Sequence, residues 1–296
     1  MTDTVIQFRE ALQETFGLLD WLPVADGSIH RFRVPEDKPG TLNGWYVLYA
    51  DGIASGAFGS WRDGSTRTWS SRKPADPLEA QLIAQRIERA RMERESEQAR
   101  NQTAAADRAG RVWSDAEPAS ADHPYLTRKG IKPYRLRQPG DVLLVPLYAD
   151  GLLMNLQRIM PDVTKRFLSG GRVKGCYSPI GRLEHGKPLY ICEGWATGAT
   201  IHEHTGHAVA CAMNAGNLLE VGRHLQRQHP DTLLVIAGDD DRQTEAEGKG
   251  NPGRIAANRA AAMLGCGVVF PPWSGSEPLS LSDFNDLRQW REANHE

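Results

Sequence analysis

Two apolar runs that each stop abruptly in carboxylates constrain this chain more than any other feature. The first is Leu189-Tyr-Ile-Cys, followed at once by Glu193-Gly194. The second is Leu233-Leu-Val-Ile-Ala-Gly, followed by Asp239, Asp240 and Asp241. Short unbroken apolar runs fit strands buried on both faces, as parallel strands are. Acids at their C-terminal ends then gather at the sheet edge where open α/β folds bind ligands. Glu193, Asp239 and Asp241 would share one crevice there. Carboxylates that close repel unless a cation lies between them, and oxygen-only ligands suit Mg²⁺ or Mn²⁺. The expected chemistry is phosphoryl or nucleotidyl transfer.

The rest of the chain divides by composition. Residues 1–73 are read as a small antiparallel β domain: a short helix around Val5–Phe16, then aromatic-rich strands punctuated by Pro39-Gly40, Asn43-Gly44, Asp51-Gly52 and Asp63-Gly64. Residues 74–117 read as a helical linker that starts near Pro77 and turns almost wholly polar from Glu93, an exposed spacer. Residues 118–185 form a small mixed subdomain in which Val142–Tyr148 and Leu152–Ile159 pair as a hairpin around Asp150-Gly151. Residues 186–296 alternate strand and helix. Strands are expected at 188–192, 207–212, 232–237 and 267–271, with helices near 196–205, 215–228 and 252–265, which implies an α/β domain with a parallel sheet flanked by helices.

A net charge of −2 hides a segregation of sign. Between Ala121 and Gly175 ten Lys and Arg face four acids, about +6; from Gly186 onward nine basic residues face fourteen acids, about −5. A basic module beside an acidic, metal-binding one suits an enzyme that processes polyanions. Cys176, Cys192, Cys211 and Cys266 form no CxxC pair, which disfavours a zinc ribbon or a disulfide framework and fits a reducing cytoplasm. No secretory signal and no apolar run long enough for a membrane span is visible, so a cytoplasmic protein with no membrane partner is expected.

Glu193-Gly194 and Asp239-x-Asp241, preceded by Pro146-Leu-Tyr-Ala-Asp-Gly, Asn155-Leu-Gln-Arg, Lys165-Arg-Phe-Leu-Ser-Gly-Gly and Lys174-Gly, resemble the Toprim domain and basic subdomain of DnaG-type primases. With Asp283-Phe-Asn-Asp286, the likeness is to plasmid- and phage-borne primases of the TraC kind, over residues 121–290. The resemblance implies a DNA-directed RNA polymerase of primase type, making short RNA primers on single-stranded DNA from NTPs, with a replicative helicase as a partner in trans. Glu193 would sit near the reacting 3′-hydroxyl and, with Asp239, Asp241 and Asp283, hold Mg²⁺ or Mn²⁺. Asp240 would assist or point away. Asn155, Arg158, Lys165, Arg172 and Lys174 would contact template phosphate or triphosphate.

One departure concerns residues 1–73, which occupy the place of a primase zinc-binding domain yet contain no cysteine, so no zinc is expected. The aromatics Trp45, Tyr46, Phe58, Trp61 and Trp69, with Arg31, Arg33, Lys38, Arg62 and Arg67, could instead meet single-stranded DNA, Trp61 and Trp69 by stacking. A sheet this small also needs aromatics for its own core. The loop Arg242–Gly253 reads as a lid or a solvated insertion. No Gly-x4-Gly-Lys-Ser/Thr motif is present, so no helicase motor is expected. Competing readings are a Toprim-type metal-dependent nuclease and a non-catalytic single-strand-binding accessory protein.

Overall fold

The computed structural model describes residues 2–35, 37, 39–61 and 64–294; Lys38 and Arg62, two of the cations noted above, lie outside the described residues. Contacts divide the chain into two units, Met1–Arg100 and Asn101–Glu296. Among the described residues no helix is long and apolar enough to cross a membrane.

In the first unit, helix α1 (Thr2–Phe16) precedes a four-stranded antiparallel sheet of β1 (His30–Phe32), β2 (Gly44–Tyr49), β3 (Ser55–Ser60) and β4 (Thr66–Ser70), in that spatial order. Alternation along β2 sends its side chains two ways. Tyr46 and Leu48 pack with Phe8 and Leu12 of α1, while Trp45 and Val47 pack with Ala90 of the next helix. Both faces of the sheet are therefore covered.

That next helix, α2, runs unbroken from Pro77 to Asp115. Its polar stretch from Glu93 to Arg100 is mostly exposed, with two half-buried residues that meet the sheet. Arg94 lies 4.6 Å over the Trp45 ring, and Arg31 of the sheet pairs with Glu97 at 2.6 Å. Guanidinium groups can cover aromatic faces as apolar side chains would, which a count of polar residues does not register. Beyond residue 100, within the second unit, the buried alanines Ala105 and Ala109 mark a packed face. Ala109, Val112 and Trp113 pack against the strands described next.

The second unit holds two sheets. The first is antiparallel: β5 (Glu117–Pro118), β6 (Arg137–Gln138), β7 (Leu143–Ala149), β8 (Leu152–Ile159) and β9 (Lys165–Phe167), with the short helix α3 (Pro124–Lys129) between β5 and β6. Asp150 and Gly151 take φ of 51° and 75°, as a type I′ hairpin turn requires of both central residues. The second sheet has the order β10 (Ser178–Ile180), β12 (Ala208–Cys211), β11 (Leu189–Cys192), β13 (Leu234–Ala237) and β14 (Gly267–Val269).

This second sheet is mixed, which corrects the expectation of a purely parallel one. β11, β12, β13 and β14 pair in parallel, but β10 joins β12 antiparallel. β10 is three residues around Pro179, too short to show a period, and proline is tolerated at such an edge because no ladder bond is lost on the open side. Helices α4 (Trp195–Thr205) and α8 (Phe284–Ala293) pack together. Trp195, Ala196 and Ala199 of α4 join Cys192, Val209 and Cys211 of the sheet in one core. Helices α5 (Leu218–Gln228) and α7 (Pro252–Leu264) join Ile191, Ala210 and Ile236 in another. The segment expected as a loop after Asp241 contains the short helix α6 (Arg242–Ala246).

Candidate active site

Register brings the acids together. Cys192 of β11 lies opposite Ala237 of β13 in the parallel ladder. Glu193 directly follows the first strand, and Asp239 comes two residues after the second, so both emerge at one sheet edge. Close packing beneath them depends on two glycines. A Cβ at Gly198 would lie 2.3 Å from the Cys211 sulfur, and one at Gly238 would lie 2.5 Å from the Ala257 Cβ.

Asp239 is the most perturbed acid in the cluster. Its Oδ1 is buried and has no hydrogen-bond partner among the described residues. Burial first, then the charges of Glu193, Asp283 and Asp241, push its carboxyl up to about 8. Glu193 is also raised, chiefly by burial and next by Asp241, against a backbone hydrogen bond from Ala215. Asp283 rises through burial and Asp286. Its Oδ1 accepts from the Asp286 N–H at 2.8 Å, capping α8, and its Oδ2 accepts from the Thr197 hydroxyl at 3.0 Å. Asp283 is thus near the cluster, with both oxygens already engaged.

The two outer members of the Asp239–Asp241 triplet differ from the middle one. Asp241 accepts from the Gly253 N–H at 2.7 Å through Oδ2 alone. Asp240 is buried and turned away, accepting from Asn251 at 2.7 Å and from the Trp273 indole at 3.0 Å, with Arg254 at 3.1 Å.

Basic groups face these acids from the antiparallel sheet and α3. The Lys165 ammonium is pulled down by burial and then by Lys129, while Asp283, Glu193 and Asp239 act in the opposite direction. Lys165 as a residue is exposed, and its ammonium lies 5.6 Å over the Tyr125 ring. Lys129 pairs with Asp286 at 3.1 Å. Sequence reasoning counted Lys129 only in the charge tally. Thr197, Asn251 and Gly253 were missed as well, although Asn-Pro at 251–252 is a readable helix start.

These residues fit a divalent ion in one respect and leave the site incomplete in another. An unpartnered, desolvated carboxylate oxygen among other acids is relieved by a cation. Yet among the described residues no three of His, Cys, Asp and Glu converge as a ready ligand ring. Mg²⁺ commonly takes one or two carboxylates and completes its shell with water and substrate phosphate. The donor set suits that arrangement.

The remaining sequence candidates fall out unevenly. Asn155 is fully buried, its Oδ1 accepts from the N–H groups of Leu156 and Leu168, and its Nδ2 donates to the Arg172 carbonyl. Its amide thereby braces β8 against the segments at Leu168 and Arg172. Arg172 donates to the Lys174 carbonyl at 2.9 Å, and Lys174 is exposed. Arg158 on β8 lies directly opposite Arg166 on β9. In the first unit, Trp61 is half-buried with Arg31 at 5.2 Å and Arg94 at 5.9 Å over its ring. Trp69 packs edge-on to Phe8 at 5.2 Å. A separate apolar cavity of about 500 Å³, lined in part by Tyr190, Ile201, Phe270 and Leu287, includes none of the site acids.

A family model for the Toprim domain matches residues 188–293, which span Glu193, the three aspartates and the Asp283–Asp286 segment. Two curated relatives, each named DNA primase TraC and each from Escherichia coli, are 36% identical to the chain, over 281 and 264 residues. These alignments take in 92% and 86% of this chain but only 26% and 18% of the relatives, so the chain spans about a quarter or less of their length. Residues 188–293 are a Toprim domain, in a chain akin to the DNA primase TraC along nearly all of its own length.

Proposed function

We propose that this chain is a primase core that joins ribonucleotides into short primers on single-stranded DNA, with a divalent metal as cofactor and a replicative helicase as a partner in trans. The observation that carries this reading is Asp239: a half-buried aspartate whose buried Oδ1 is unpartnered among the described residues, set among acids and faced by Lys165. The similarity to proteins named DNA primase supports it.

In nucleotidyl transfer a 3′-oxygen attacks the α-phosphorus of the incoming triphosphate, a new P–O bond forms, and the bond to pyrophosphate breaks. Glu193, raised by burial and Asp241, is suited to receive the hydroxyl proton, since a base works best with its pKa nearer the operating pH. Asp239 and Asp241, with Glu193 and Asp283 beside them, would hold Mg²⁺. When bound, that ion would supply positive charge to offset the charge that develops on the phosphate. Lys165 and Lys129 do the same from the opposite wall. Arg158 and Arg166, opposed across β8 and β9, form a like-charge pair that costs stability on its own and that a phosphate backbone would relieve.

The deciding experiment incubates the chain with single-stranded DNA, labelled NTPs and Mg²⁺. Short oligoribonucleotides that vanish in Asp241→Ala are the expected product. Shortened DNA with no new RNA would replace this reading with a nuclease.

A further inference from the structure

Two residues at the start of α7, Asn251 and Gly253, lie against the acidic triplet. Asn251 is buried and makes four hydrogen bonds. Its Oδ1 accepts from the Asp241 N–H at 2.9 Å and from the Arg254 N–H at 3.1 Å. Its Nδ2 donates to Asp240 at 2.7 Å and to Glu245 at 3.0 Å. Gly253 donates its N–H to the Asp241 carboxylate at 2.7 Å. Only glycine fits this close to the third aspartate, because a Cβ there would stand 2.7 Å from the Asp239 carbonyl oxygen. Pro252 between them gives up an N–H that the first turn of α7 leaves without an intrahelical partner in any case.

Asp240 supplies the opposite anchor. Its carboxylate is held by Asn251, Arg254 and the Trp273 indole, and its N–H donates to the Ser282 carbonyl at 2.8 Å. Ser282 immediately precedes Asp283, so one residue ties the Asp239–Asp241 segment to the second acidic segment. The middle aspartate therefore faces inward, and its two neighbours are left to face the cleft.

We propose that Asn251 and Gly253 are positioning residues that set the backbone and carboxylate orientation of Asp239 and Asp241, with buried Asp240 as their anchor rather than a metal ligand. This rests on the reading of Glu193, Asp239 and Asp241 as the metal-holding acids. A helix cap alone would ask only for the Arg254 bond to Asn251. The bonds to Asp241 and Asp240, and the closeness of Gly253 to Asp239, go beyond capping. Partners that orient ligand side chains typically change metal affinity by about 10–100-fold when removed.

The test uses the full chain and Mn²⁺, followed by titration with electron paramagnetic resonance, alongside melting temperature. The variants are Asn251→Ser, Gly253→Ala and, as a control, Asp239→Asn. Serine still accepts the Arg254 N–H as a helix cap but is too short to span Asp240 and Asp241 as well. The expected result, read at a temperature where every variant is folded, is Mn²⁺ binding at least about tenfold weaker in Asn251→Ser and Gly253→Ala, a loss larger than any fall in their melting temperatures accounts for. If both bind Mn²⁺ as wild type does while Asp239→Asn loses it, the positioning role is overturned and the metal site stands. If the two weaken only in proportion to a lost melting temperature, the residues merely hold the fold and the proposal is again overturned. If Asp239→Asn binds Mn²⁺ as well as wild type does, the metal-site reading fails and takes the proposal with it.

Discussion

Removing the charge of Asp239 should destroy activity and yet stabilise the metal-free protein. In the folded chain this carboxyl is raised from its ordinary value of 3.8 to about 8. The folded state therefore holds a proton that the unfolded state releases throughout that window. Stability from this group is fully present below about pH 4 and is lost as pH rises toward 8. From pH 3.8 to pH 7 lie about three units at about 1.4 kcal/mol each, so the wild type gives up at most about 4 kcal/mol at pH 7 through Asp239. That figure is a ceiling, because a cleft can admit water and relax. Asp239→Asn keeps the shape and carries no titrating group, so it avoids the loss. At about 2–4 °C per kcal/mol for a unit of this size, the variant should melt several degrees above wild type at pH 7, with a ceiling of about 16 °C. The assay is thermal unfolding in a chelator from about pH 4 to about pH 8. The gain should shrink toward zero near pH 4, and Mg²⁺ should narrow it at about pH 7 by stabilising only the wild type. A variant that melts below wild type at about pH 8 without metal, or a gain of equal size at about pH 4, would refute the electrostatic account.

Asp241→Ala and Glu193→Gln should abolish primer synthesis while leaving affinity for single-stranded DNA within about twofold, as an anisotropy titration would show; near-normal synthesis by either would remove that acid from the mechanism. Lys165→Ala should weaken binding of DNA or triphosphate and flatten the slope of log K against log salt by up to about one; an unchanged slope places the polyanion elsewhere. Asn155→Ala should cost about 1–3 kcal/mol by orphaning the N–H groups of Leu156 and Leu168, with KM for NTPs unmoved; a raised KM at unchanged melting temperature would return Asn155 to the binding site. Trp69→Ala should lower the melting temperature through lost contact with Phe8; a stable variant with impaired DNA binding would restore the stacking role.

Sequence alone determined the strand–acid junctions. Apolar runs at 189–192 and 234–237 have a buried environment as their only stable place, and acids at their ends must then surface at a common edge. The Asp150-Gly151 hairpin was equally legible, because a two-residue turn demands φ > 0 where Asn, Asp and Gly accept it. What the sequence could not decide was where each carboxylate points. Asp239, Asp240 and Asp241 are three identical residues in a row, and only the folded chain sets them apart. Asn251, Trp273 and Arg254, from 11 to 33 positions away, draw the middle one inward and leave Asp239 Oδ1 without a partner among the described residues. The polar stretch of α2, the brace at Asn155 and the edge strand around Pro179 escaped for the same reason. Their environments come from residues distant in sequence, and local period and composition record only what a residue prefers, not the neighbours that tertiary packing brings to it.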